Sequence, residues 1–142
     1  MMLRRLAFSM AALFIASICA SAQQPVVKHV PIRAVSPASG QQMYTAYCAA
    51  CHGKDAKGNG PAAEALKTPP PDLTLLSKNN GGKYPSLRVG AILRGDTVLT
   101  AHGSKDMPIW GKLFWAISKG HSSEVDQRVA NLNKYLESLQ EK

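Results

Sequence analysis

The chain has 142 residues, 45% of them apolar, with 17 Lys and Arg against 9 Asp and Glu and a formal charge of +8. That length suits one ordinary domain, and that apolar share excludes disorder throughout. The basic residues form no cluster and no basic helix, which excludes nucleic acid as a partner, and at 6% aromatic the chain offers no large aromatic core.

Residues 1–22 read as a cleaved secretory signal peptide. Arg4 and Arg5 make a positive start, residues 6–20 are an almost unbroken apolar run, and Ala20-Ser21-Ala22 offers small residues at the spacing a signal peptidase reads. The run is short for a membrane span of about 20 residues. Export to the periplasm is therefore expected, with membrane association only if the segment is retained. Bulky Ile18 before Cys19 argues against a lipoprotein, and the residues after Arg4-Arg5 do not complete a twin-arginine signal. Cleavage removes two arginines and no acid, leaving 15 basic and 9 acidic residues. Such a surface favours acidic protein partners or anionic head groups.

Residues 23–35, polar and holding Pro25 and Pro31, predict a flexible leader in which His29 is solvated. Residues 36–142 are expected to form the domain. Ser36-Pro37 predicts a helix start, with Ser as N-cap and Pro first in the helix. Gly40, Met43, Tyr44, Tyr47, Cys48 and Cys51 follow at helical spacing on one inward face. Gly53, Gly58 and Gly60 predict a loop, residues 61–67 a short helix, and Pro69-Pro70-Pro71 an extended segment. Asp72 then caps a short helix carrying Leu73, Leu75 and Leu76, which Asn79-Asn80-Gly81-Gly82 ends. Residues 85–94 predict a helix closed by Gly95, 97–108 an irregular loop, and 109–117 an apolar helix. In the last helix Ser122 or Ser123 is the expected cap, with Glu124 and Asp126 near the positive end of the helix dipole. Val125, Val129, Leu132, Leu136 and Leu139 draw one apolar stripe along it. Nothing reads as a strand pair, so the fold class is all-α.

Without Cys19, two cysteines remain, three positions apart. A disulfide between them would close a trivial loop. A zinc site needs four ligands, and a thioredoxin-type site needs strands alternating with helices. Cys48-Ala49-Ala50-Cys51-His52 matches covalent haem attachment instead. On a helix, i and i+3 share a face, so Cys48 and Cys51 can each add to a vinyl group of one porphyrin, and His52 can give its imidazole to iron. A single such motif implies one haem c. The sixth position on iron is left to Met107, His102, His121 or an open site. Met107 is favoured, because Pro108 and Ile109-Trp110 follow it in an irregular loop with an apolar wall; His102 comes next.

Gly40 with Tyr44, Cys48 through Gly53, Gly58-Asn59-Gly60-Pro61, Pro70-Pro71-Asp72-Leu73-Thr74, His102-Gly103 with Met107-Pro108-Ile109-Trp110-Gly111, and Leu132 with Tyr135-Leu136 together span residues 36–140. On these the chain resembles the class I c-type cytochromes of the bacterial monohaem kind. The resemblance implies a cytochrome c fold: four to six short helices around one covalently bound haem, the terminal helices crossing near Gly40 and Tyr44. It implies His52 and Met107 as axial iron ligands, with the Pro71 carbonyl accepting from the second ring nitrogen of His52. It implies Leu73, Leu93, Trp110 and Phe114 as haem walls, and Trp110 or Tyr84 as a propionate donor. His52 and Met107 lie 55 residues apart, more than in the most compact members, with the extra length expected in residues 53–71 or 79–84.

The implied function is one-electron transfer outside the cytoplasm, with iron cycling between Fe(III) and Fe(II). No enzyme activity and no small-molecule substrate are expected, and redox partners with acidic docking surfaces are. The rival reading is a haem subunit or docking module of a membrane oxidase or dehydrogenase, tethered through residues 23–35. A reading from another class, a haem ligand sensor or peroxidase, requires Met107 to leave iron.

Overall fold

A helix can begin where a side chain meets its first free N–H groups. In the computed structural model, which describes residues 32–97 and 107–141, Ser39 does this for α1 (Gly40–Tyr47): its hydroxyl accepts from the Gln42 amide at 3.2 Å. The start expected at Ser36-Pro37 therefore falls later. Ser36 instead closes a turn, its hydroxyl accepting from Ala38 N at 3.3 Å. Pro37 is kept outside the helix because Asn131 Nδ2 donates to its carbonyl at 2.9 Å.

A short α2 (Ala49–His52) follows at once, joined to α1 through Cys48, whose amide still bonds the Tyr44 carbonyl. Residues 61–67 yield only a single 3-10 turn, Ala63–Ala65. Asp72 caps the next turn, Leu73–Leu75, as expected: its carboxylate accepts from the Thr74 amide at 2.8 Å and the Thr74 hydroxyl at 2.6 Å. A third turn, Lys78–Asn80, runs into Gly81. Then come α3 (Ser86–Arg94), closed by Gly95, α4 (Trp110–Ile117) and α5 (Ser122–Ser138). Among the described residues there is no strand, so the all-α expectation holds. The segment expected as a signal peptide and His102 lie outside the described residues.

Crossing of the terminal helices makes the core. Gly40 meets α5 at Asn131 and Tyr135, and the Tyr44 and Tyr135 rings sit 5.5 Å apart. Met43, Tyr44, Val129, Leu132 and Leu136 are buried between them, with Val125 and Leu139 packed at the margins. The predicted stripe on α5 is thus the face that packs. Each large side chain so buried contributes about 1.5–3 kcal/mol.

Two features of α5 depart from expectation. Neither Ser122 nor Ser123 caps it; His121 holds that position with no side-chain cap bond. And Arg128, on the inward face, is buried at 2% exposure. Its guanidinium donates to Glu124 Oε1 at 2.6 Å, to the Ser118 hydroxyl at 3.1 Å and to the Val35 carbonyl at 2.7 Å, and lies 4.0 Å from Met43 Sδ. The Tyr47 hydroxyl holds the same stretch: it accepts from Val35 N at 3.1 Å and donates to the Arg33 carbonyl at 2.9 Å. The last residues of the segment expected as a leader are therefore tied to the domain, and the unit containing all described residues begins at Ile32.

The Glu124 carboxyl is held below its ordinary value of 4.5 by the Arg128 hydrogen bond first and the Ser118 hydroxyl second. Asp55 is lowered too, by Asn59 and then by the Lys57 amide. A carboxyl depressed in the folded state adds stability above its unfolded pKa and loses it as pH falls through the folded one. The melting temperature should hold flat from pH 7 to about 5 and fall below about 4.5. Glu124→Gln should flatten part of that fall; an unchanged acid limb, followed by circular dichroism, would remove Glu124 from the account.

Candidate functional site

The cysteine pair sits on a short helix that the following loop fastens. A helix of α2's length leaves almost all its carbonyls without internal partners, and the following loop supplies them. Gly58 N donates to the His52 carbonyl at 2.8 Å, Gly60 N to that of Cys51 at 3.0 Å, and Ala62 N to that of Ala50 at 2.9 Å. Gly60 must be glycine for this wrap, since a β-carbon there would overlap the Ala50 carbonyl oxygen. The Gly53 carbonyl is taken by the buried Tyr44 hydroxyl at 2.7 Å. Burial raises the Tyr44 phenol above its usual value, so it remains a donor.

Cys48 is buried, Cys51 and His52 are half-buried, and both thiols are free of any disulfide. Burial, and then the neighbouring Cys51, push the Cys48 thiol up to about 12. Cys48 is thus a neutral thiol at physiological pH. Among the described residues, no three His, Cys, Asp or Glu side chains gather as they would around a zinc ion. Two free thiols at i and i+3 with a histidine next, on a helix whose carbonyls are all engaged, fit a covalently held haem. They are the donors such a group needs.

The proline segment lies against the loop that follows His52. A β-carbon on Gly58 would overlap the Pro70 carbonyl oxygen and come 3.4 Å from that of Pro71. Leu73 N donates to the Ala56 carbonyl at 2.8 Å. Pro71 is exposed and Leu73 half-buried.

Met107 is 38% exposed. The chain just after it is anchored twice: Ile109 packs its side chain onto Gly95, and Gly111 lies against the Arg94 carbonyl. Trp110 then stacks on Tyr47, with ring centroids 5.6 Å apart and planes 29° apart. Phe114 joins the cluster, 6.0 Å from Tyr47 and 5.9 Å from Trp110. This contact brings the residue before Cys48 against the residue three after Met107. Trp110, Phe114 and Leu93 are buried, Phe114 completely. The Tyr84 hydroxyl, which the resemblance offers as a propionate donor, donates to Asn133 Oδ1 at 2.8 Å and pins the start of α3 to α5.

Tyr47, Arg128 and Gln140 were not legible as organising residues. Arg128 carried one signal: it stands three residues after Val125 and four before Leu132, on the apolar face. The hydroxyl of Tyr47 and the carboxamide of Gln140 act on segments far away in sequence, which spacing does not reveal.

Comparison with known proteins adds one finding. A family model described as "Cytochrome C oxidase, cbb3-type, subunit III" matches residues 35–116, over half of the chain, including Cys48, Cys51, His52 and Met107. No curated protein and no solved structure matches.

Proposed function

The chain belongs to the family of cbb3-type cytochrome c oxidase subunit III, a cytochrome c domain, and from that premise we propose that it carries single electrons outside the cytoplasm on one covalently bound haem c. The observation that carries this reading is the Cys48, Cys51 and His52 constellation on the capped α2. Haem supplies, when bound, a reversible one-electron Fe(III)/Fe(II) couple. Cys48 and Cys51 would hold it by thioether links, and His52 and Met107 would be the protein ligands of its iron. The Pro71 carbonyl would orient His52 through its second ring nitrogen. Leu73, Leu93, Trp110 and Phe114 would keep water from the site. The Tyr47–Trp110 stack supports Met107 as the second ligand, because it ties the segments around Cys48 and Met107 together.

Residues 1–22 would direct export, and among the described residues no helix is long and apolar enough to cross a membrane. The excess of basic residues would steer the domain to acidic redox partners. The family description favours a second reading, in which the domain is fixed within a membrane oxidase complex rather than diffusing. Co-purification with such a complex would support it; reduction kinetics that slow strongly with salt would support the shuttle.

A redox-titrated absorption spectrum of the mature protein tests the proposal. One haem per chain and a weak methionine–sulfur charge-transfer band in the ferric form are expected. Absence of covalent haem would refute the electron-carrier reading.

A further inference from the structure

The carbonyls of a helix's last turn lack intrahelical partners, and Gln140, just past α5, is half-buried and fully engaged there. Its Nε2 donates to the Leu136 carbonyl and to the Leu73 carbonyl, both at 2.8 Å. Its Oε1 accepts from the Ser77 amide at 2.8 Å, and the next amide, Glu141 N, donates to the Thr74 carbonyl at 2.9 Å. The bond to Leu136 caps α5 itself. The other three grip residues 73–77, more than sixty positions earlier in the chain.

That turn leads directly to the attachment site. Leu73 N is bonded to the Ala56 carbonyl, and Ala56 is completely buried in a left-handed conformation, φ 63°. Ala56 stands in the loop whose Gly58 amide holds the His52 carbonyl. A continuous line of hydrogen bonds and short backbone steps therefore runs from Gln140 through Leu73 and Ala56 to His52. Pro71 and Leu73, the residues proposed to orient His52 and to wall the haem, lie at the gripped end.

We propose that Gln140 is a positioning residue for the haem site: its carboxamide clamps residues 73–77 and so fixes where Leu73 and the Pro71 carbonyl stand relative to His52. This rests on the haem-carrier reading above. Groups around a metal's ligands, and the burial of the centre, tune its reduction potential, so the clamp should be readable there and not in stability alone.

The test compares the haem-loaded full chain with Gln140→Met, which keeps length and neutrality but makes no such bonds, and with Asn131→Ala. The latter removes a bond from the middle of α5, to the Pro37 carbonyl, and serves as the stability control. Amide exchange at Ser77, reduction potential and melting temperature are measured for each. Gln140→Met should exchange the Ser77 amide at least about tenfold faster and move the potential beyond the spread of replicate titrations. Asn131→Ala should lower the melting temperature with the potential unmoved. Unchanged Ser77 exchange in Gln140→Met overturns the clamp. Faster exchange with an unmoved potential overturns the positioning role. Absence of covalent haem from the unmutated chain overturns the carrier reading, and the positioning role with it, before any variant is compared.

Discussion

Gly40→Ala is expected to destabilise the domain by about 2–3 kcal/mol, although alanine is the better helix former. A β-carbon at this position would overlap the Asn131 carbonyl oxygen, and it would stand 2.6 Å from Tyr135 Cβ and 2.9 Å from the Asn131 carbonyl carbon. These are backbone and near-backbone atoms in the middle of α5, so no side chain can swing aside. Asn131 is further held by its bond to Pro37. The helices must therefore separate, loosening the contact between Met43, Tyr44, Val129, Leu132 and Leu136. The propensity gain of alanine over glycine is at most about 1 kcal/mol and does not offset this. At about 4–8 °C per kcal/mol for a domain near this size, the melting temperature should fall by roughly 10 °C or more. Gly81→Ala provides the comparison: nothing lies within 4 Å of its β-position, and only its φ of +64° opposes a side chain, at about 1–2 kcal/mol. A Gly40→Ala loss no larger than that of Gly81→Ala would refute a close crossing.

The same crossing explains what the sequence could and could not reveal. The α5 stripe was legible because Val129, Leu132 and Leu136 repeat at helical steps within a single element. The motif proposed to attach haem is legible for the same reason, since Cys48, Cys51 and His52 lie within five consecutive residues. The start of α1 was not. Ser36-Pro37 and Ser39 are both good local starts, and the choice falls to Asn131, which holds Pro37 outside the helix from 94 residues away. The cap of α5 is set in the same way: Arg128 and Ser118 take the Glu124 carboxylate, so the corner is built by a buried guanidinium rather than by Ser122 or Ser123. Residues 61–67 give one 3-10 turn because the backbone turns extended at Leu66, ψ 142°. What remained hidden is the set of polar side chains, Tyr47, Arg128, Asn131 and Gln140, that reach across the fold. Their long-range partners are backbone groups, which no sequence pattern marks.

Met107→Ala is the substitution that separates two roles for one side chain. As core filler, a methionine 38% exposed should be nearly silent, within about 0.5 kcal/mol in stability. As an iron ligand it should be the most consequential position after His52. A thioether favours ferrous over ferric iron, and for a one-electron couple each tenfold change in that preference is about 59 mV. Loss of the ligand should therefore lower the potential by on the order of 100 mV or more, abolish the ferric sulfur charge-transfer band, and open the iron to added small ligands. Apoprotein stability should hardly change, whereas the haem-loaded protein should melt earlier. Trp110 keeps its stack on Tyr47 in this variant, because Ile109 on Gly95 and Gly111 on Arg94 anchor the chain downstream of Met107; a spectral change would thus report the ligand and not collapse of the loop. His102→Ala should leave the band and the potential as they are. If instead the unmutated protein lacks the band, Met107→Ala leaves the potential unmoved and His102→Ala shifts it, the iron is held by two histidines, and the raised potential expected of a His/Met carrier goes with it.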